Sequence, residues 1–309
     1  MVRAAVIVIL WAISTTGVVS HDSPTTFKSG IDLVALNVVV VNSQRQFVSG
    51  LTSDNFAVYE DGVQQNLSFF AAEELPLDVA IILDTSASMF DKLATAQQAA
   101  VGFISAMRPT DRVLVIDIKN SSTILAPLSH DLEAAKRAIL GTSADGGTAI
   151  YNGLYLTLKE MKKRRSAETD MRRQAVVLLS DGDDTSSLVS FDDVMDLAKQ
   201  SGISIYTIML SSVLDAQMDR RRDSLASKSA YGMKVLAQET GARSFPASSI
   251  SDLAGVYKTI GQELSSQYAI GYTSTNQRRD GTYRRVSVRI VDRENAQPRT
   301  RAGYLAPRG

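Results

Sequence analysis

The stretch Leu77 to Met89 reads Leu-Asp-Val-Ala-Ile-Ile-Leu-Asp-Thr-Ser-Ala-Ser-Met. Val79 to Leu83 is apolar and rich in β-branched residues without a polar interruption. Such a run suits a central parallel strand with helices on both faces. It stops abruptly at one carboxylate and two hydroxyls in alternation, Asp84, Ser86 and Ser88. Open α/β sheets bind ligands at the carboxyl ends of their strands, which is where Asp84 would lie. Carboxylate and hydroxyl oxygens suit a hard cation such as Mg²⁺, which keeps several waters and needs only part of its shell from one loop.

The rest of the chain supplies the context for such a strand. Apolar positions Leu93, Ala96, Ala100, Phe103, Ile104 and Met107 recur at three and four, the period of an amphipathic helix, and Pro109 ends it. Arg112 to Ile118 and Thr123 to Leu125 read as strands, the second short enough for a sheet edge. Asp131 to Leu140 and Ala149 to Met161 read as helices, and Ala175 to Leu179 as a strand. A helix at Phe191 to Lys199, a strand at Ile203 to Met209, a helix resuming at Met233, a brief strand at Ser244 to Pro246 and a helix at Ile250 to Leu264 follow. This alternation predicts an α/β fold with a doubly wound, mainly parallel, Rossmann-like sheet.

Both flanks read differently. Ile31 to Val41 is a strand by composition, and Phe56 to Tyr59 and Gln65 to Phe69 flank the hairpin signal Asp61-Gly62. Tyr268 to Thr273, Tyr283 to Val291 and the last residues are also β. Either group alone has too few strands for stability, so the two are expected to pack as one small discontinuous sheet domain. The expected organisation is a leader at 1–20, a β segment at 24–75, the α/β unit at 76–266 and a second β segment at 267–309. The polar stretch from Ser211 to Ser229, with Arg220, Arg221 and Arg222, fits no periodic pattern.

Two later stretches complete the oxygen-rich set. Gly146-Gly147-Thr148 is a tight loop entering a helix, and Ser180-Asp181-Gly182 ends the second apolar strand. Asp84-x-Ser86-x-Ser88, Thr148 and Asp181 together resemble the metal-ion-dependent adhesion site of von Willebrand factor type A domains. Phe47-Val48-Ser49-Gly50-Leu51-Thr52, Phe56 to Gly62 and Arg301 to Pro307 are similar to the acidobacterial-type VWFA-related family. The resemblance implies that Ser86 and Ser88 bind the metal directly and that Asp84 and Asp181 act directly or through water. Thr148 would join when ligand arrives. Ala87 stands where many such sites carry Gly, and Ala pays a steric cost in a left-handed backbone that Gly does not.

If neutral hydroxyls dominate the direct shell, the cation keeps most of its charge and accepts an Asp or Glu side chain of a protein partner. The expected function is therefore an exported, metal-dependent, adhesion-type binding module rather than an enzyme. Mg²⁺ is the expected ion, with Mn²⁺ or Ca²⁺ as alternatives. A metal-dependent hydrolase is the second reading, with Asp183 or Asp184 as the only candidate general bases. A structural envelope protein with a degenerate site is the third.

Other chemistries find no support. His21 and His130 form no zinc pattern, and the chain has no Cys to supply a thiolate, a disulfide or a nucleophile. G-x-S-x-G, the phosphate loop and the dinucleotide fingerprint are all missing, and an EF-hand beginning at Asp181 fails because Ser186 occupies its glycine position. Asp183 and Asp184 then read as solvated loop acids. Lys162 to Arg165, with Arg172 and Arg173, reads as a solvated basic helix end. Lys and Arg together number 33, as do Asp and Glu, so no overall field attracts nucleic acid or an anionic membrane.

Arg3, the apolar run from Ala4 to about Ile13, and Val18 and Ser20 before His21 form a secretory signal pattern. An uncleaved anchor is the rival reading, although the apolar stretch is shorter than the ~20 residues that span a bilayer. The expected location is secreted, periplasmic or cell-envelope, with no membrane span after cleavage.

Overall fold

An eight-residue strand with every residue buried, Leu77–Asp84, runs through the middle of the largest sheet. The computed structural model describes residues 33–72, 75–167, 171–210 and 223–308. These belong to one compact unit, residues 32–309. The leader at 1–20 and Arg220, Arg221 and Arg222 lie outside the described residues.

In chain order the first strands are β1 (Leu33–Val41), β2 (Phe56–Glu60), β3 (Val63–Gln65) and β4 (Leu67–Ala71), followed by the central β5 (Leu77–Asp84). Then come α1 (Leu93–Ser105), β6 (Arg112–Ile118), β7 (Ser122–Ser129), α2 (Leu132–Leu140), α3 (Ile150–Ala167), β8 (Arg173–Ser180), α4 (Phe191–Ser201) and β9 (Ser204–Leu210). The chain ends with α5 (Asp223–Glu239), β10 (Ser244–Ala247), α6 (Leu253–Ser265), β11 (Tyr268–Thr273), β12 (Tyr283–Ile290), β13 (Gln297–Arg299) and β14 (Gly303–Leu305).

The central sheet has the order β10-β9-β8-β5-β6-β7. All its pairs are parallel except β6 with the edge strand β7. Successive side chains of a strand point to opposite faces, so both faces of β5 need cover. Val79, Ile81 and Leu83 pack with α1, α2 and α6. Ala80 and Ile82 pack with α3, α4 and α5. The fold is thus doubly wound as the sequence predicts. The connection through α1 carries the chain to β6 on one side of β5, and the later return places β8 on the other. The carboxyl ends of β5 and β8 therefore flank a reversal of strand order, the usual ligand crevice of such sheets.

The flanking β segments pack together as expected, with strands from both ends of the chain in each of two four-stranded antiparallel sheets, β13-β1-β11-β4 and β14-β12-β2-β3, where the sequence suggested a single sheet. The expected strand from Gln65 to Phe69 divides at Asn66: β3 closes a hairpin on β2, whereas β4 pairs with β11 in the other sheet. The hairpin turn has Asp61 at φ 48° and Gly62 at φ 85°, both in the left-handed region that a primed turn demands. Val38, Val58, Tyr268, Ile270 and Val286 share one core between the two sheets. Within it, buried Glu60 accepts hydrogen bonds from Tyr272 (2.8 Å), Tyr304 (2.9 Å) and Ser274 (2.6 Å).

Two further readings are revised. Arg172 and Arg173 are not part of a solvated helix end. Arg172 donates to Asp78 at 2.7 Å, and Arg173 is buried with its guanidinium on the carbonyls of Leu75 and Leu264. The helix expected to resume at Met233 begins earlier, at Asp223.

The amino end of β5 is fixed electrostatically. Asp78, almost wholly buried, pairs with Arg112 at 2.6 Å and with Arg172. Asp111 accepts the Leu77 N–H at 2.9 Å and is paired with Arg108 at 3.0 Å. Burial acts to raise the Asp111 carboxyl. Hydrogen bonds from Arg108 and from the backbone N–H groups of Leu77 and Arg108 outweigh it and hold the group below the usual carboxylate range. A depressed folded-state pKa contributes stability that is present above the unfolded value of about 3.9 and is lost as pH falls through the folded value. Asp111→Asn is therefore expected to be less stable than the wild type at pH 7 in chemical denaturation. The difference should close as pH falls below about 4, where the wild type loses the same contribution.

Candidate metal centre

Asp84 ends β5 with no solvent exposure. One of its oxygens accepts the Ser86 N–H at 2.9 Å, and the other accepts the Ser180 hydroxyl at 2.5 Å. Burial pushes its carboxyl up; the hydrogen bonds from Ser180 and Ser86 act against this, and the charge of Asp181 adds to it. Ser86 has an extended backbone and leads into a single 3₁₀ turn, Ala87–Met89. Ala87 avoids the left-handed region altogether, so the residue that stands in place of glycine carries no backbone strain.

A short chain of contacts crosses from this loop to the end of β8. The Ser86 and Ser88 hydroxyl oxygens lie 3.0 Å apart, and Ser88 donates to Asp181 Oδ1 at 2.7 Å. Asp181 Oδ2 takes an ion pair from Lys92 Nζ. Ser88 is exposed while Asp84, Ser86 and the Asp181 carboxylate are enclosed, so the cluster opens to solvent at the Ser88 side.

The loop that precedes Thr148 is tied to the same place through its backbone. The Ala87 N–H donates to Gly146 O at 3.0 Å, and the Asp145 N–H to Thr85 O at 2.9 Å. Gly146 has φ 74°, and a Cβ on Gly147 would meet Ser186 Oγ at 2.6 Å, so both glycines are needed. The Thr148 N–H donates to Thr185 Oγ1 at 3.0 Å, and Thr148 O accepts the N–H groups of Thr185 and Ser186. Asp84, Ser86, Ser88 and Asp181 are thus joined by direct hydrogen bonds, whereas Thr148 is linked to them only through its loop, two residues beyond the Gly146 carbonyl that takes the Ala87 N–H.

The donor set fits a hard divalent cation. It offers two carboxylates and three hydroxyls, with no nitrogen or sulfur ligand. Among the described residues no three His, Cys, Asp or Glu side chains gather as a metal cage, so hydroxyls have to provide part of any shell here. Asp84 has hydroxyl and amide partners but no cationic one among the described ion pairs.

Several contributors were not singled out from the sequence. Ser180 lies directly before Asp181, and Lys92 stands one helical turn after Ser88; those spacings were the available signals. Asn120 accepts the Gly147 N–H at 2.6 Å, a contact with no sequence signal. Asp184 is also more than a solvated acid. Its carboxylate accepts the Tyr151 N–H at 2.8 Å in the first turn of α3, and the Ser187 N–H and hydroxyl at 2.9 and 2.6 Å. It therefore caps the helix that follows Thr148.

A family model described as von Willebrand factor type A domain matches residues 78–244, over half of the chain. The chain belongs to the von Willebrand factor type A family. Domains of this family commonly mediate protein–protein interaction. An uncharacterized protein of Synechocystis sp. is 34% identical over 112 residues, 35% of this chain and 26% of that protein. A UPF0353 protein of Mycolicibacterium paratuberculosis is 24% identical over 200 residues, 60% of each. The chain spans between 26% and 60% of the length of the curated relatives it matches. A solved von Willebrand factor type A structure from Catenulispora acidiphila aligns with a TM-score of 0.51 at 13% identity, covering 91% of this chain and 76% of that one. At that identity the likeness shows the shared fold alone. No helix among the described residues is long and apolar enough to cross a membrane.

Removing the Ser180 hydroxyl leaves a fully buried carboxyl oxygen without its donor. Ser180→Ala is expected to cost about 2 kcal/mol in chelator-treated protein, read as a lower urea midpoint with an unchanged m value.

Proposed function

We propose that this von Willebrand factor type A chain is an exported, metal-dependent binding module. Its divalent cation would be held by Asp84, Ser86, Ser88 and Asp181, with Thr148 joining, and would capture an acidic side chain of a protein partner. The observation that carries this reading is the Asp84 carboxyl. It is sealed from water beside a second carboxylate, and among the described residues its partners are hydroxyl and amide donors. A buried negative charge without a cation is costly, and a divalent ion supplies the missing charge. Mg²⁺ suits the oxygen-only donors, with Mn²⁺ and Ca²⁺ as alternatives. When bound, the ion offers a positive centre to a carboxylate; the chain's own task is to hold its oxygens in place and leave the Ser88 side open.

The surroundings support a macromolecular partner. Phe90, two residues after Ser88, is 76% exposed, and Leu188 is 96% exposed. The Leu188 N–H is held by Asn152 in the first turn of α3, within the loop that also supports Thr148. Two bare apolar side chains on the loops of one polar site are what a protein interface would cover. Of the two candidate general bases of the hydrolase reading, Asp184 is already engaged as the cap of α3, which leaves that reading Asp183 alone. The amino-terminal signal pattern supports a secreted, periplasmic or envelope location.

After chelation, millimolar Mg²⁺ or Mn²⁺ is expected to raise the melting temperature by several degrees, and Asp84→Ala should abolish the shift. An undiminished shift in that variant would place the ion elsewhere. Capture of an envelope protein by the immobilised chain should in turn be lost on adding chelator.

A further inference from the structure

The enclosed Asp181 carboxylate, its side chain only 1% exposed, has both oxygens engaged. Ser88 supplies a hydroxyl to Oδ1, and Lys92 supplies an ammonium to Oδ2. Lys92 has a fixed root and a long, partly exposed side chain. It occupies the position before the first residue of α1, its N–H bonds Met89 O at 2.9 Å, and its carbonyl accepts the Ala96 N–H at 3.0 Å. The side chain is nevertheless 27% exposed, and its four-carbon stem lets the ammonium turn toward water while the backbone stays in place.

The charges around this lysine are unevenly shared. Asp84 and Asp181 each carry a carboxylate, and the only cationic side chain paired with either, among the described residues, is Lys92. An ammonium is a hydrated point charge that makes hydrogen bonds without demanding a geometry, so it can stand in for an ion at one carboxylate and leave without rearranging the loop. A divalent cation reaching Asp181 meets this charge already in place and is repelled by it.

We propose that Lys92 is an internal competitor for the metal: it neutralises Asp181 in the metal-free protein and has to swing away before a divalent ion binds. This rests on the metal reading given above. The lysine then sets the ion concentration at which the site fills, and it keeps Asp181 from facing Asp84 as an uncompensated like charge when no ion is present.

The test is calorimetric titration of the whole chain with MgCl₂ and MnCl₂ after chelation, for the wild type, Lys92→Met, Lys92→Gln, Lys92→Arg and Asp84→Ala. Melting of the metal-free forms is followed in parallel. Lys92→Met and Lys92→Gln are expected to bind the ion about tenfold more tightly, which corresponds to about 1.4 kcal/mol, and to melt lower than the wild type without metal. Lys92→Arg, which retains the charge and can hold a carboxylate bidentately, should bind the ion no more tightly than the wild type. Unchanged or weaker binding in both neutral variants, with Asp84→Ala still abolishing wild-type binding, would overturn the competitor role and leave the metal site standing. Metal binding by neither the wild type nor the neutral variants would overturn both. Binding by the neutral variants alone would be the strongest support, since the lysine would then exclude the ion outright.

Discussion

The two carboxylates of β5 set the terms for everything around them. Asp78 and Asp84 lie on one fully buried strand, near its start and at its end, where an unpartnered charge is costly. Asp78 is flanked by the guanidinium groups of Arg112 and Arg172, one from the neighbouring strand and one from the segment entering β8. Asp84 receives a hydroxyl from Ser180 and an amide from Ser86. A strand held in place by an acid with two cationic partners at one end carries at the other an acid with hydroxyl and amide partners and, among the described residues, no cationic one; on the proposed reading that asymmetry is what a cation would answer.

The sheet order turns this local imbalance into a site. Because the chain builds first to one side of β5 and later to the other, the loops after β5 and β8 face each other across the reversal. Side chains anchored to backbone then hold those loops. Asn120 holds Gly147, Thr185 holds Thr148, Asp184 and Ser187 hold the first turn of α3, and Asn152 holds the loop at Leu188 and Val189. Such bonds fix the position of oxygens without consuming them, which is the pre-organisation that an ion with strict geometry requires.

Much of this was legible in the chain because burial on both faces leaves a plain mark. Val79 to Leu83 and Ala175 to Leu179 could hardly be anything but central strands, and acids following them pointed to the sheet edge. The short strand expected at Thr123 to Leu125 is indeed at the margin, as β7, though it runs from Ser122 to Ser129. Pairing partners were not legible. Residue alternation indicates which side of a strand is buried but not which strand lies beside it, so the division at Asn66 between two sheets was hidden within one apparent arm. Arg172 and Arg173 looked like surface because charge usually means solvent, and their buried partners, an acid and two carbonyls, lie far away in the sequence. The ammonium beside Asp181 escaped for the same reason: it is 89 positions from its partner.

The way the two small sheets are interleaved bears on how the polypeptide comes into being. β1 pairs with β11 and β13, and β2 with β12, so each early strand has to find a neighbour more than two hundred residues downstream. At roughly 5–20 residues per second of translation, Leu33 leaves the ribosome on the order of 10–50 s before Thr273, its partner across the ladder, has been made. Through that interval the valines of β1 have no strand to pair with and β2 has only its hairpin partner β3, although the α/β unit can already assemble from nearer contacts. The first-made strands are thus the last to be housed, and in the interval they are the stretch a chaperone would meet bare.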